Sequence, residues 1–162
     1  MPANRIQGVL EIKVTADTSA SPDQVLGAAR DFSEQRAKVW TNVQTKYLKV
    51  HDSGEEFAEV TEGTWFVGLF WERSRYEWSQ PGSVKQTVID SNALEPYSTW
   101  EIRAVPRNGG STVEMHLKRQ FRRGIKGRIG AAINHLGGKR LWGSYLRRAL
   151  ANIEKGSAQS KP

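Results

Sequence analysis

The chain has no cysteine, which excludes disulfides, zinc–thiolate centres and thiol nucleophiles. Histidine is scarce: His51, His116 and His135 are the whole complement, and none stands with Asp or Glu at metal-ligand spacing. Neither a metal nor a cofactor is therefore expected. No apolar run approaches the ~20 residues needed to span a bilayer. The first residues show neither an apolar signal segment nor a basic leader, so the default expectation is a soluble, cytoplasmic protein. Internal repeats and low-complexity tracts are also missing. Acidic residues nearly vanish from the last third. From Lys118 onward twelve Lys/Arg stand against Glu154 alone, a net of +11; the remainder nets −4, giving +7 for the chain.

What is present suits one domain. A chain of 162 residues buries roughly 70% of its unfolded surface, and the pattern assigns 1–155 to that domain and 156–162 to a flexible polar tail. Ile6 to Thr15 alternates as a half-buried strand, with Ile6, Leu10, Ile12 and Val14 on one side. Ser21-Pro22-Asp23-Gln24 reads as a capping box with Pro at the first helical position, opening a helix that buries Val25, Leu26, Ala29 and Phe32. A second short helix is expected over Glu34 to Trp40. Strands follow near 47–51 and 57–64, joined at Asp52-Ser53-Gly54-Glu55.

Two further hairpins set their own registers. Around Pro81-Gly82, counting outward pairs Tyr76 with Thr87, Ser74 with Ile89 and Glu72 with Ser91 on an inner face. The outer face then pairs Glu77 with Gln86, Arg75 with Val88 and Arg73 with Asp90. Around Asn108-Gly109, a strong hairpin signal, the count pairs Ala104 with Val113, Ile102 with Met115 and Trp100 with Leu117. The opposite face pairs Arg103 with Glu114, Glu101 with His116 and Thr99 with Lys118. Last comes a long amphipathic helix, Gly124 to Glu154, with apolar residues at Ile125, Ile129, Ile133, Leu136, Leu141, Tyr145, Ala149 and Ile153 and basic residues on the complementary face. Gly137-Gly138 falls where the two apolar series lose step, so a kink belongs there.

This text and order of elements resembles the START/Bet v 1-like superfamily, whose members include polyketide cyclase/dehydrase and lipid-transport proteins. The resemblance rests on Ser21-Pro22-Asp23-Gln24-Val25, Trp71-Glu72-Arg73, Tyr76-Glu77-Trp78-Ser79, Pro81-Gly82 and Ile89-Asp90-Ser91-Asn92, and it covers essentially the whole chain. It implies an α+β helix-grip fold: a curved antiparallel sheet of about six to seven strands wrapped around the C-terminal helix, with two short helices after the first strand. It also implies a cavity between sheet and helix.

The corresponding expectation is a carrier or sensor that holds a small hydrophobic or amphipathic ligand, lipid-like or polyketide-like. The residues assigned to that site are Glu72, Tyr76, Trp78, Ile89, Trp100, Ile102, Met115, Leu117, Arg119, Ile133 and Leu136. The inner rings exceed what the helix stripe can fill, so an apolar void is expected, entered beside the glycine pair. Ser74, Thr87, Ser91 and Ser98 are the other polar groups placed on the inner face. Two alternatives stay open. One is a cyclase- or dehydrase-like enzyme using Glu72, Tyr76 or Arg119 for proton transfer. The other is a module whose basic helix makes weak contact with anionic membranes, which a basic patch contiguous with exposed aromatics would favour. Nucleic acid ranks last, because the basic segment carries no interleaved aromatics. The register turns His116 outward, away from any chemistry in the cavity.

Overall fold

The computed structural model describes residues 8–160; Ile6, the first apolar position of the expected strand, lies outside them. The elements are β1 (Leu10–Thr18), α1 (Pro22–Ala29), α2 (Arg36–Val39), a tight turn at Thr45–Tyr47, β2 (Lys49–Ser53), β3 (Phe57–Trp65), β4 (Leu69–Glu77), β5 (Ser83–Ser91), β6 (Thr99–Arg107), β7 (Gly110–Arg119) and α3 (Ile125–Gln159). One seven-stranded antiparallel sheet runs β1-β7-β6-β5-β4-β3-β2. The first strand thus pairs with the last, and α1, α2 and α3 cover one face. This is the expected helix-grip α+β arrangement.

The capping box forms as read. Ser21 Oγ accepts from the Gln24 N–H at 3.2 Å, and the Gln24 side chain accepts from the Ser21 N–H at 2.8 Å, satisfying two donors at the helix start. The second helix is shorter than expected and begins at Arg36. The β6–β7 register agrees with the sequence reading pair for pair, from Thr99↔Lys118 to Ala104↔Val113.

The β4–β5 register does not. Glu72↔Ser91 and Arg73↔Asp90 pair as expected, then a bulge leaves Ile89 unmatched and the ladder resumes at Ser74↔Val88 and Tyr76↔Gln86. A one-residue slip exchanges the faces of everything beyond it. Ile89, expected inside, is 43% exposed, and Gln86, expected outside, is buried. Thr87 likewise changes face and lies opposite Arg75 and Thr99. Arg73 and Asp90 stay opposite each other, but their ion pairs are Arg73–Glu59 and Arg122–Asp90, the latter at 2.8 Å.

The kink is where the glycines place it. Gly138 leaves helical geometry with φ 48° and ψ −137°, a left-handed-side conformation that disfavours a side chain. The two halves of α3 then behave differently. The C-terminal half buries Leu146, Ala149, Leu150 and Ile153 in the main core with Ile102, Met115 and Leu117. The N-terminal half instead packs closely on the segment that joins β7 to α3. A Cβ on Gly127 would fall 1.8 Å from the Arg122 carbonyl oxygen, and one on Gly130 would fall 3.1 Å from the Phe121 ring. Ile129 is half-buried, but two of that half's larger apolar side chains look away, correcting the expectation for them: Leu136 is 90% exposed and Ile133 is open to solvent. A hydrogen bond from Trp142 Nε1 to Asn134 Oδ1 (2.7 Å) spans the break. The helix continues to Gln159, into the segment read as a tail.

Glu154, the one acidic residue of the basic third, anchors the far end of α3. Thr18 Oγ1 and the Ser19 N–H donate to its carboxylate at 2.6 and 3.0 Å. The Thr18 bond, then the Ser19 bond, hold that carboxyl below its ordinary value of 4.5.

Two expectations follow. Leu146→Ala should cost about 3–5 kcal/mol in denaturant unfolding, whereas Leu136→Ala should change stability by less than about 0.5 kcal/mol. Because the folded pKa of Glu154 is lowered, its stabilisation is present above the unfolded value and lost as pH falls through the folded one. Glu154→Gln should therefore flatten the acid limb of stability against pH, measured by thermal unfolding below about pH 5.

Candidate functional site

Between the sheet and α3, side chains from β3, β4, β5, β6, β7, α2 and α3 close on one small gap. Its walls are Arg36, Trp40, Asn42, Val43, Glu62, Glu72, Tyr76, Gln86, Trp100, Arg119, Trp142 and Tyr145, and its volume is about 30 Å³. That is room for one water-sized guest. The expected apolar void is therefore corrected. The space is where the sequence placed it, but it is water-sized and largely polar, because Arg36, Glu62 and Gln86 project into it.

The alternation of β3 and β4 explains which groups arrive. Ala58, Val60 and Glu62 share one face of β3, and Glu72, Ser74 and Tyr76 share the facing side of β4. Arg36 opens α2, and its side chain is buried beside Phe32, from the loop before the helix. It is only 3% exposed. Its Nε donates to Glu62 Oε1 and its Nη2 to the Tyr76 hydroxyl at 3.0 Å, while Nη1 donates to the carbonyls of Ala29 (3.1 Å) and Asp31 (3.3 Å). The Tyr76 hydroxyl in turn donates to Glu62 Oε2.

Rings enclose this triad. Arg36 lies 4.5 Å above the Phe32 ring, Phe32 meets Tyr76 edge-on at 4.8 Å, and Trp40 meets Trp100 edge-on at 5.4 Å. Burial works against the Arg36 charge, but Glu62 and then Tyr76 outweigh it and hold the guanidinium above its ordinary value. Burial, then Glu62, raises the Tyr76 hydroxyl well above its ordinary value, so it keeps its proton and serves as a donor.

A second polar chain lies nearer the mouth. Gln86 Nε2 donates to Glu72 Oε1 at 2.6 Å and to Ser74 Oγ at 3.0 Å, and Arg119 Nη1 reaches Glu72 Oε2 at 3.4 Å. The Glu72 side chain is 24% exposed, while that of Arg119, at 9%, is as buried as the Arg36–Glu62 pair. Above it, Tyr145 donates to Asn42 Oδ1, and Trp142 packs edge-on against Tyr145 at 5.3 Å.

Of the residues assigned from sequence, Glu72, Tyr76, Trp100 and Arg119 line the gap. Ile102, Met115 and Leu117 lie beneath it as fully buried core. Trp78 is at the sheet end, its Nε1 bonded to the Glu55 carbonyl at 2.9 Å and its ring stacked 6.5 Å from Phe32. Ile89, Ile133 and Leu136 do not reach the site. Ser74, Ser91 and Ser98 are buried.

Arg36 and Glu62 were not singled out. Glu62 had a signal, since it shares the inward phase of β3 with Ala58 and Val60; Arg36, at the start of a four-residue helix, had none. His116 lies on the outer face, bonded to Glu11 at 2.6 Å. An outer groove of about 360 Å³ runs past His116, Glu101, Lys118 and Tyr97; it is shallow, floored by paired surface charges, and contains none of the assigned ligand residues.

The fold has clear relatives. The chain superposes on the Zhui aromatase/cyclase from Streptomyces with a TM-score of 0.74 at 12% identity, covering 91% of this chain and 94% of that one. A START superfamily protein from Mycobacterium smegmatis gives 0.68 at 11%, covering 95% and 100%. A major latex-like protein from Panax ginseng gives 0.63 at 9%, covering 91% and 97%. At such identities the likeness is one of fold, and the chain has the START/Bet v 1-like fold. No protein-family model matches the sequence, and no curated protein matches it either. Among the described residues no helix is long and apolar enough to cross a membrane.

The triad makes a direct prediction. Arg36→Leu strands the Glu62 carboxylate in the core and should cost about 3–5 kcal/mol, with Arg36→Leu/Glu62→Leu recovering much of the loss. Denaturant unfolding of the two single variants and the double variant measures it.

Proposed function

We propose that this protein binds a small amphipathic molecule in the gap between the sheet and α3, as a carrier or sensor. The observation that carries the reading is the convergence of Glu72, Gln86 and Arg119 on one gap walled by the rings of Trp100, Trp142 and Tyr145, with Glu72 partly open to solvent. A few oriented polar groups among aromatic walls is the usual form of a small-molecule site. The ligand's polar end sits on Arg119 and Glu72, and its apolar body takes the place of contacts between α3 and the sheet. Entry requires displacement of Trp142 and Tyr145, the two α3 side chains that line the gap, and release of the Asn134–Trp142 bond beside the Gly138 kink.

Binding is favoured over catalysis because the deep polar groups are already engaged. Tyr76 donates to Glu62 and accepts from Arg36, leaving no free acid or base in the triad. The fold shared with an aromatase/cyclase keeps ring closure as the second reading, with Glu72 as its proton-transfer group.

Titration with anilinonaphthalene sulfonate, an apolar ring system bearing an anion, tests the site. Saturable change in probe and tryptophan fluorescence is expected, at least about tenfold weaker in Arg119→Met, and retained in Trp65→Ala, which alters only an exposed ring. Trp100→Ala should change probe preference at a cost of about 3–5 kcal/mol. No saturable signal in the parent protein, or one indifferent to Arg119→Met, would overturn the assignment.

A further inference from the structure

The hairpin joining β3 to β4 ends in three consecutive large apolar residues. Trp65, Phe66 and Val67 all project into solvent, the two rings 60% and 66% exposed. The turn does not need them: it closes through the Phe66 N–H to the Gly68 carbonyl (3.0 Å), with Gly68 at φ 101°. Isolated surface hydrophobes are ordinary, but a run at one tip forms a patch.

The tip abuts the first turn of α3. Lys126 Nζ donates to the Leu69 carbonyl at 2.6 Å, and its stem passes 3.8 Å from where a Gly68 Cβ would stand. From that turn the exposed Ile125 and Leu136 extend the apolar surface along the helix. The surrounding charge has one sign, with six Lys/Arg and no Asp or Glu from Arg122 to Arg140.

We infer that this face docks on an anionic membrane surface. The aromatic tip enters the boundary between headgroups and acyl chains, where Trp is favoured. The N-terminal half of α3 lies along the surface as an interfacial amphipathic helix does, its cations over the acidic headgroups. A second copy of this chain is the poorer occupant. A two-fold contact sets the same patch against itself, bringing the cations of both copies together with nothing to neutralise them. The inference stands apart from the ligand reading, since docking requires no guest in the gap.

Vesicle flotation tests it, using phosphatidylcholine alone and phosphatidylcholine mixed with phosphatidylserine, at low and at physiological salt. The parent protein should float with the acidic vesicles at low salt, less at physiological salt as screening shortens the reach of its charges, and not with neutral vesicles. Trp65→Ala/Phe66→Ala and Arg128→Glu/Lys139→Glu should each partition at least about fivefold more weakly, the scale of one Lys/Arg at such a surface. All four positions are exposed, and unchanged thermal unfolding confirms that the variants fold. Absence of acidic-lipid-dependent flotation at low salt would overturn the inference. Flotation unaffected by Trp65→Ala/Phe66→Ala would do so too, leaving only diffuse charge attraction. A concentration-dependent dimer abolished by the same double variant would assign the patch to a second copy instead.

Discussion

The structure turns on one residue without a side chain. Gly138 breaks α3, and the break divides the work of covering the sheet. Beyond it, Leu146, Ala149, Leu150 and Ile153 grip the core as a continuous apolar stripe. Before it, Gly127 and Gly130 pack on Arg122 and Phe121, in the segment between β7 and α3, and Ile125, Ile133 and Leu136 stay exposed. Burial of the first kind stabilises by roughly 25 cal/mol per Å² of apolar surface; contact through glycine contributes far less. A single helix therefore supplies both a clamp and a weakly held arm, and the gap lies beside their junction.

The polar interior adds a second constraint. Arg36 and Glu62 are costly to bury, and such a pair contributes to specificity of packing more than to net stability. Their partners here are fully organised, with guanidinium donors reaching Glu62, Tyr76 and two backbone carbonyls. The triad fixes α2 against β3 and β4, and so fixes the inner wall on which Glu72 and Arg119 are displayed. The cover above it, Trp142 and Tyr145, is held by single hydrogen bonds to Asn134 and Asn42 and by ring contacts.

Much of this was legible in the sequence, and the failures have physical causes. Asn108-Gly109 closes β6 and β7 with a two-residue turn, so counting outward gives every pair. The β4–β5 connection is longer and a bulge follows at Ile89, which no turn signal announces; the count slipped by one, and Ile89 and Gln86 exchanged faces. Gly137-Gly138 marked the kink, but a 3.6-residue period shows which residues share a stripe and not what the stripe faces. Ile133 and Leu136 were lost for that reason. Arg36 and Glu62 were missed because charge was read as exposure, although the alternation of β3 placed Glu62 inside. Glu72 and Arg119 were found because the register there precedes the bulge or follows the well-set hairpin.

Hydrogen exchange along α3 tests the central idea, that one helix acts as a clamp and a movable arm. Amides of residues 126–137 should exchange much faster than those of residues 143–154, and binding of anilinonaphthalene sulfonate should change protection mainly around the kink, next to Trp142 and Tyr145. Equal protection on both sides of Gly138, unaltered by the probe, would contradict the account.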